Sequence, residues 1–325
     1  MRIGLALPHY DFSFPDGEPV TWERILSAAQ RAEALGFDSG WVSDHFFLDT
    51  ARYGGTDELA GSLEPFTVIA ALAARTERLR LGTLVAGAPF RHAAHVAKTA
   101  TALDLASDGR FDLGLGAGWY ELEHRSFGLD FKTLRGRLEA LDESCQIVNQ
   151  MFTQDRTSFA GKHYKVADAV CNPKPMQKPR IPIMIGGRGE KSLLKIVAKH
   201  ADMWNTMHSN PAEMKRLIDV IERHGDTVGR DTDEIEKTIM LPLCYKASKE
   251  REQMIAQVVA GMARISPEQA RDRIMIGDKD ECLDKVAAYR KVGVTHFIFN
   301  LRWPILVEDE FQAFAEEVIP AVERN

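Results

Sequence analysis

Two short clusters carry groups that can do chemistry. In Ser43-Asp44-His45-Phe46 an acidic residue stands beside a histidine just after an apolar run. Histidine titrates near neutral pH and can give or take a proton, so the pair suits acid–base work. It equally suits a loop-capping aspartate beside a solvated histidine. The second cluster is Gly186-Gly187-Arg188-Gly189-Glu190-Lys191-Ser192. Glycines let the backbone turn sharply and let a ligand approach its N–H groups. A helix expected to begin near Glu190 adds its positive end, and Arg188 adds a donor fork that matches phosphate. This is an anion cradle, or a strand-to-helix turn that needs glycine for geometry alone. The Gly-Gly-x-Gly spacing is not a dinucleotide fingerprint, and no Gly-Lys-Ser/Thr follows to make a Walker loop.

A third stretch, Leu113 to Phe131, carries Gly114, Gly116 and Gly118 at alternate positions. Glycines facing inward would leave a flat floor for a planar ring, with Trp119 and Tyr120 as walls. Glu121 and Glu123 read as solvated loop charges. His92 and His95 lie three apart without the glutamate of a zinc protease, so no metal site is expected. No Gly-x-Ser-x-Gly supports a serine nucleophile.

The elements that must hold these clusters alternate along the whole chain. Strand-like runs are "RIGLALP", "SGWVSD", "LRLGTLVA", "RFDLGLG", "IPIMIG", "ADMWN", "EKTIMLPL" and "THFIFNL". Helical patterns follow each of them. The first starts at Thr21, a fitting N-cap, and buries Trp22, Ile25, Leu26, Ala29 and Ala32 at three-four spacing before Leu35-Gly36 ends it. Others run over 65–76, 95–107 and 134–151, and the last is "DEFQAFAEEVIPAVE". "TSFAGKHYKV" reads as a hairpin turning at Gly161-Lys162, and the proline-rich "CNPKPMQKPRIP" as an extended connection. Eight strand–helix units with near-continuous apolar strands predict one (β/α)8 barrel, an α/β fold spanning 1–325. Its inserted loops lie at about 46–64, 119–133 and 152–180, over the C-terminal face. The competing arrangement is a doubly wound sheet with a second domain beyond the proline-rich segment. In a barrel, chemistry belongs at the strand ends: His9 and Tyr10, Ser43 to His45, Thr83 to Gly87, Gly116 to His124, Gly186 to Lys191, and Asn205 with His208.

The 325 residues carry a formal charge of -6 without basic blocks, so nucleic acid is not an expected partner. No apolar run reaches a membrane-spanning length, and no signal sequence is read at the N-terminus. Four scattered cysteines, Cys145, Cys171, Cys244 and Cys282, form no Cys-x-x-Cys pair. They fit a cytoplasmic protein with reduced thiols.

These residues resemble the luciferase-like superfamily of flavin- and deazaflavin-dependent oxidoreductases, over nearly the whole chain. The specific parts are "TALDLASDGRFDLGLGAGWYELEHRSFGLDF", with Arg135 and Arg137 after it, and "PIMIGGRGEKSLLKIVAKHADMWN". The resemblance implies a (β/α)8 barrel, a small-molecule substrate and a homodimer. Asp44-His45 is similar to the branch that uses coenzyme F420; branches with FMN more often place a Glu-His-His pattern there. F420 is therefore the expected cofactor, with FMN, and an FMNH2-dependent monooxygenase, as the alternative. A flavin-binding barrel without catalysis and a phosphate-substrate lyase are the readings of other classes.

The resemblance also assigns roles. His45 is the expected acid–base residue, with Asp44 holding it or contacting the cofactor head. His9, Asp44, Thr83, Leu84, Val85, Gly116, Ala117, Gly118 and Tyr120 are expected around the ring, with a cis peptide between Leu84 and Val85. The amides of Gly187, Arg188 and Gly189 are expected to hold the phosphate. In sugar-phosphate dehydrogenases of this branch a glutamate directly follows the glycine of the fourth strand. Trp119 and Tyr120 stand there instead, which argues for an alcohol, enone or other carbonyl substrate.

Overall fold

The computed structural model describes residues 1–14, 19–53, 59–300 and 308–322. Leu301, Glu323 and part of the 46–64 loop, segments named above, lie outside the described residues. Eight parallel strands close on themselves: Arg2–Ala6, Ser39–Val42, Arg80–Thr83, Phe111–Gly116, Ile183–Gly186, Met203–Met207, Glu236–Tyr245 and Val294–Asn300. Each pairs with the next, and the eighth pairs with the first through Arg2 opposite His296. Closure between the fourth and fifth strands, Leu113 opposite Ile183, leaves the doubly wound alternative without support.

The strands read as continuous apolar runs because both faces are covered. Every residue of Phe111–Gly116 is buried. The helices outside are held by ordinary caps. Thr133 accepts the amide of Gly136 at the start of Leu134–Thr153, and Asn210 and Glu213 form a reciprocal capping box. Inside, Ala6, Trp41, Met184, Met203, Met240 and Ile298, one from each of six strands, form a cluster separate from the main core. No helix among the described residues is long and apolar enough to cross a membrane.

The N-terminal end of the barrel is plugged by charge. Arg80 pairs with buried Asp112 at 2.5 Å, and Arg2 with Glu236 at 2.9 Å. His296, fully buried, meets Ser39 Oγ at 3.0 Å, and that oxygen accepts the Trp41 indole N–H at 2.9 Å.

The C-terminal end carries the insertions. Phe47–Asp49 and Leu59–Gly61 pair antiparallel after the second strand, and a short helix, Glu121–Ser126, follows the fourth. Thr157–Ala160 and Lys165–Ala169 form the hairpin, fastened to Glu143 of the neighbouring helix by the amides of Lys162, His163 and Tyr164. A further insertion, 246–278, follows the seventh strand. It holds helices Lys249–Ala263 and Pro267–Arg271 and the strand Met275–Gly277, which pairs with Leu243–Tyr245. The sequence shows only a helical pattern after the seventh strand, and 246–278 is not among the inserted loops expected from it. After the fifth strand the helix begins at Leu193, not near Glu190, because residues 190–192 first make a turn.

Candidate active site

A cavity of about 790 Å³ opens at the C-terminal strand ends. Ser43, Asp44 and His45 after the second strand, Leu84 and Val85 after the third, Gly116 to Trp119 after the fourth and Gly186 to Gly189 after the fifth all line it. The Asp-His and Gly-Gly-Arg-Gly clusters, over 140 positions apart in the chain, therefore share one slot.

His45 is held from behind. Its Nδ1–H donates to Glu123 Oε1 at 2.9 Å, and the Phe46 amide donates to Glu123 Oε2 at 3.0 Å. A carboxylate only accepts, so the proton sits on Nδ1 and Nε2 is left as the acceptor in the neutral ring. Nε2 has no partner among the described residues. Trp119, half-exposed, stands edge-on to the His45 ring at 5.7 Å. Glu123 was read from sequence as a solvated charge, and this is corrected: its side chain is 1 % exposed. The short helix Glu121–Ser126 turns Glu123 and His124 inward and leaves its other four residues exposed. A single helical turn is too short to show that periodicity in the sequence.

Asp44 does not hold His45. It takes Arg91 at 2.5 Å and 3.2 Å and the Gly87 amide at 2.9 Å. Arg91 also reaches Glu64 at 2.6 Å. Burial works against the charge on Arg91, but Asp44 and Glu64 outweigh it and raise its pKa. Asp44 thus ties the second-strand loop to the third. Arg91 was overlooked beside His92 and His95. Of these, His92 caps the helix Ala93–Ala106 and His95 is exposed. No group of His, Cys, Asp and Glu among the described residues is placed to hold a metal.

Three expected cavity residues stand behind its wall. Thr83 Oγ1 both donates to the Gly114 carbonyl and accepts its amide, at 2.8 and 2.9 Å. Tyr120 is buried with Tyr10 and Leu48. His9 is buried, its Nδ1–H donating to the Leu7 carbonyl at 2.8 Å. Its Nε2 must then accept from Ser43 Oγ, 3.0 Å away, which leaves that oxygen to accept from Tyr10 Oη at 2.7 Å. Ser43 and Tyr10 face the cavity at the end of this directed chain.

The peptide between Leu84 and Val85 is cis. Val85 pushes over the neighbouring strands. An added Cβ on Gly116 would lie 2.5 Å from Val85 Cγ2, and one on Gly186 2.9 Å from Cγ1. The glycines after the fourth and fifth strands thus make room for Val85; the flat floor expected at Gly116 is occupied by this side chain. Ala117 and Gly118 continue the wall. The anion cradle is also revised. Gly187, at φ 130°, spends its amide on the Asn205 carbonyl at 2.9 Å. The amides of Arg188 and Gly189 have no partner among the described residues. The Arg188 side chain stands 3.8 Å from Glu213. The site therefore offers one anchored imidazole with an accepting nitrogen, a mostly apolar slot, and two main-chain donors at its edge.

Residues 1–264 match the model of the luciferase-like monooxygenase family. Among curated proteins, a glucose-6-phosphate dehydrogenase dependent on F420, from Amycolatopsis mediterranei, is 26% identical over 91% of this chain and 93% of its own. Among solved structures, an F420-dependent secondary alcohol dehydrogenase with an F420–acetone adduct superposes with a TM-score of 0.82 at 21% identity, covering 99% of both chains. The oxygenating constituent of 3,6-diketocamphane monooxygenase from Pseudomonas putida, with FMN, gives 0.74 at 18% identity and the same coverage. The likeness to these two structures is one of fold.

Proposed function

The chain belongs to the luciferase-like monooxygenase family, and on that premise we propose that it is a coenzyme F420-dependent oxidoreductase acting on a small alcohol, carbonyl compound or activated alkene. The observation that carries this is the His45–Glu123 pair, which leaves an accepting nitrogen at the wall of an apolar cavity. Dependence on F420, rather than FMN, is supported by the Asp44-His45 pattern and by the curated relative.

The residues present fit a flat ring with a phosphorylated arm. The Leu84–Val85 bulge makes a raised apolar surface in the slot, and the free amides of Arg188 and Gly189 suit an anion. When bound, the deazaflavin supplies the carbon that accepts or gives a hydride. For an alcohol, His45 Nε2 would take the hydroxyl proton, and for a carbonyl compound it would return that proton to the oxygen. Glu123 fixes the tautomer and stabilises the ring once it is charged. Asp44 and Arg91 hold the loop that carries His45. Trp119, Leu84 and Val85 bind and keep water from the reacting atoms.

The test is fluorescence polarisation of the full chain with F420 and with FMN, followed by turnover on a carbonyl panel. Saturable F420 binding with turnover is expected. Tighter FMN binding with oxygen-dependent turnover overturns the reading in favour of the FMN monooxygenase, and binding without any turnover in favour of a non-catalytic barrel.

A further inference from the structure

The proposed chemistry leaves the body of the substrate undefined, but the cavity has a wall that the reaction does not use. It comes from the insertion after the seventh strand. Helix Lys249–Ala263 presents Ile255, Val258, Val259 and Met262 to the cavity, spaced three and four apart, so one whole stripe of the helix faces in. The stripe carries no donor and no acceptor. The helix Leu134–Thr153, which follows the fourth strand, contributes Leu134 and Leu138 to the same cavity, again one turn apart.

Two features separate this wall from ordinary core. The helix does not lean on the barrel's main core. Ile255, Ala256, Val259 and Ala260 pack with Ala270, Ile274 and Ile276 of the insertion and with Cys244 at the end of the seventh strand, in a cluster separate from the main core. The insertion is thus its own platform, anchored where Met275–Gly277 extends the sheet beside Leu243–Tyr245. Second, apolar groups at the cavity are left uncovered. Leu134 is 62% exposed and Trp119 47% exposed, although both line the cavity. Large side chains in that state gain from a ligand that takes them out of water. A hydroxyl-rich body laid along this stripe would lose hydration without recovering hydrogen bonds, because the polar groups of the cavity, among them Arg188, His208 and Arg264 at the helix end, are not part of the stripe.

We infer that the substrate is an apolar alcohol or ketone with an extended hydrocarbon body, its oxygen at His45 and its chain against the Ile255–Met262 stripe and Leu134–Leu138. The inference rests on the oxidoreductase reading above and specifies its substrate class.

The experiment is isothermal titration calorimetry of the full chain, with and without F420, against 2-butanone, 2-hexanone, 2-octanone and glucose 6-phosphate. Affinity should rise by about fourfold for each methylene added, the factor for complete burial of a CH₂. Val258→Asp should flatten that slope, and Val258→Ala, which asks little of the fold, should lower octanone affinity by a few fold. Met254→Asp, on the exposed face of the same helix, should leave the series unchanged. Chain-length-independent binding, tighter binding of glucose 6-phosphate, or a slope indifferent to both Val258 variants overturns the inference. A full slope in a protein that binds no F420 leaves the substrate class standing and removes the cofactor reading instead.

Discussion

Each end of this barrel sets a histidine beside a carboxylate and holds an arginine–aspartate pair, yet the two ends are put to opposite uses. At the N-terminal end the charged groups pair with one another. Asp112 takes Arg80, Glu236 takes Arg2, and His296 lies between Ser39 and these charges, fully buried. At the C-terminal end Arg91 and Asp44 likewise pair, with Glu64 and the Gly87 amide as their further partners, but His45 keeps one nitrogen open to the cavity. Glu123 takes one of its nitrogens and the cavity wall presents the ring. His296 also keeps one ring nitrogen, Nδ1, without a hydrogen-bond partner among the described residues, so the same residue types give a plug where that nitrogen is sealed in and a reactive group where it opens on a cavity. Parallel strands make this asymmetry natural, since loops at the C-terminal ends vary without disturbing the sheet.

The largest effect expected from breaking that contrast is at His45. His45→Ala should lower turnover about 100- to 10,000-fold, the usual range for a positioned acid–base group, with cofactor affinity retained. Steady-state kinetics beside a polarisation titration measures both, and unchanged turnover removes the assignment. Next is Glu123→Gln, which keeps the shape but loses the charge that orients His45. A hydrogen bond to a charged group contributes about 1.5–3 kcal/mol, so turnover should drop roughly ten- to hundredfold with a changed pH profile. A loss of thermal stability with normal kinetics would instead make Glu123 a plain anchor for the Phe46 amide. Third, Gly116→Ala drives a methyl into Val85, 2.5 Å away. It should cost about 1–3 kcal/mol in unfolding free energy. An unaltered melting temperature would mean that Val85 yields freely and the bulge is not fixed.

The plug and the slot were not equally legible in the sequence. The eight strands were, because burial on both faces leaves no polar alternation to confuse them. The Asp44-His45 and Gly187–Gly189 clusters were placed at strand ends, and the cis bond at Leu84–Val85 came from the family resemblance. What failed was partner assignment. Asp44 and His45 are adjacent in sequence, but adjacent side chains leave an extended segment in different directions, so each found a remote partner, Arg91 and Glu123. The insertion after the seventh strand was hidden because the Lys249–Ala263 pattern looks like any barrel helix. The Arg2–Glu236 and Arg80–Asp112 pairs join residues whose closeness exists only after closure.

The plug makes a pH-dependent prediction of its own. Burial, then Arg2 and Arg80, hold the His296 pKa well below its ordinary value. The unfolded chain binds this proton at a higher pH than the folded one does. Stability from this residue is therefore complete above about pH 6.5 and is lost as pH falls below it, by at most about 1.4 kcal/mol per pH unit. Melting curves between pH 7.5 and 5 should show the decline, and His296→Gln should flatten it. An identical decline in that variant assigns the effect elsewhere.

The smallest effect should come from the cradle, where the C-terminal end most nearly copies the charge pairing of the plug. Gly187 has already given its amide to Asn205, so anion binding is left to two main-chain N–H groups and the Arg188 side chain. That side chain is 44% exposed and has Glu213 at 3.8 Å, so water and salt screen it. Exposed charge contacts contribute about 0–1 kcal/mol, and Arg188→Gln should weaken F420 binding by no more than about fivefold. The difference from the native chain should shrink further in 0.5 M salt, whereas main-chain donors keep their geometry whatever the ionic strength. Polarisation titrations of both proteins at low and high salt measure this directly. A loss of a hundredfold that persists in salt would show the arginine itself to be the anion site, and the cradle would then work as the plug does, by charge against charge.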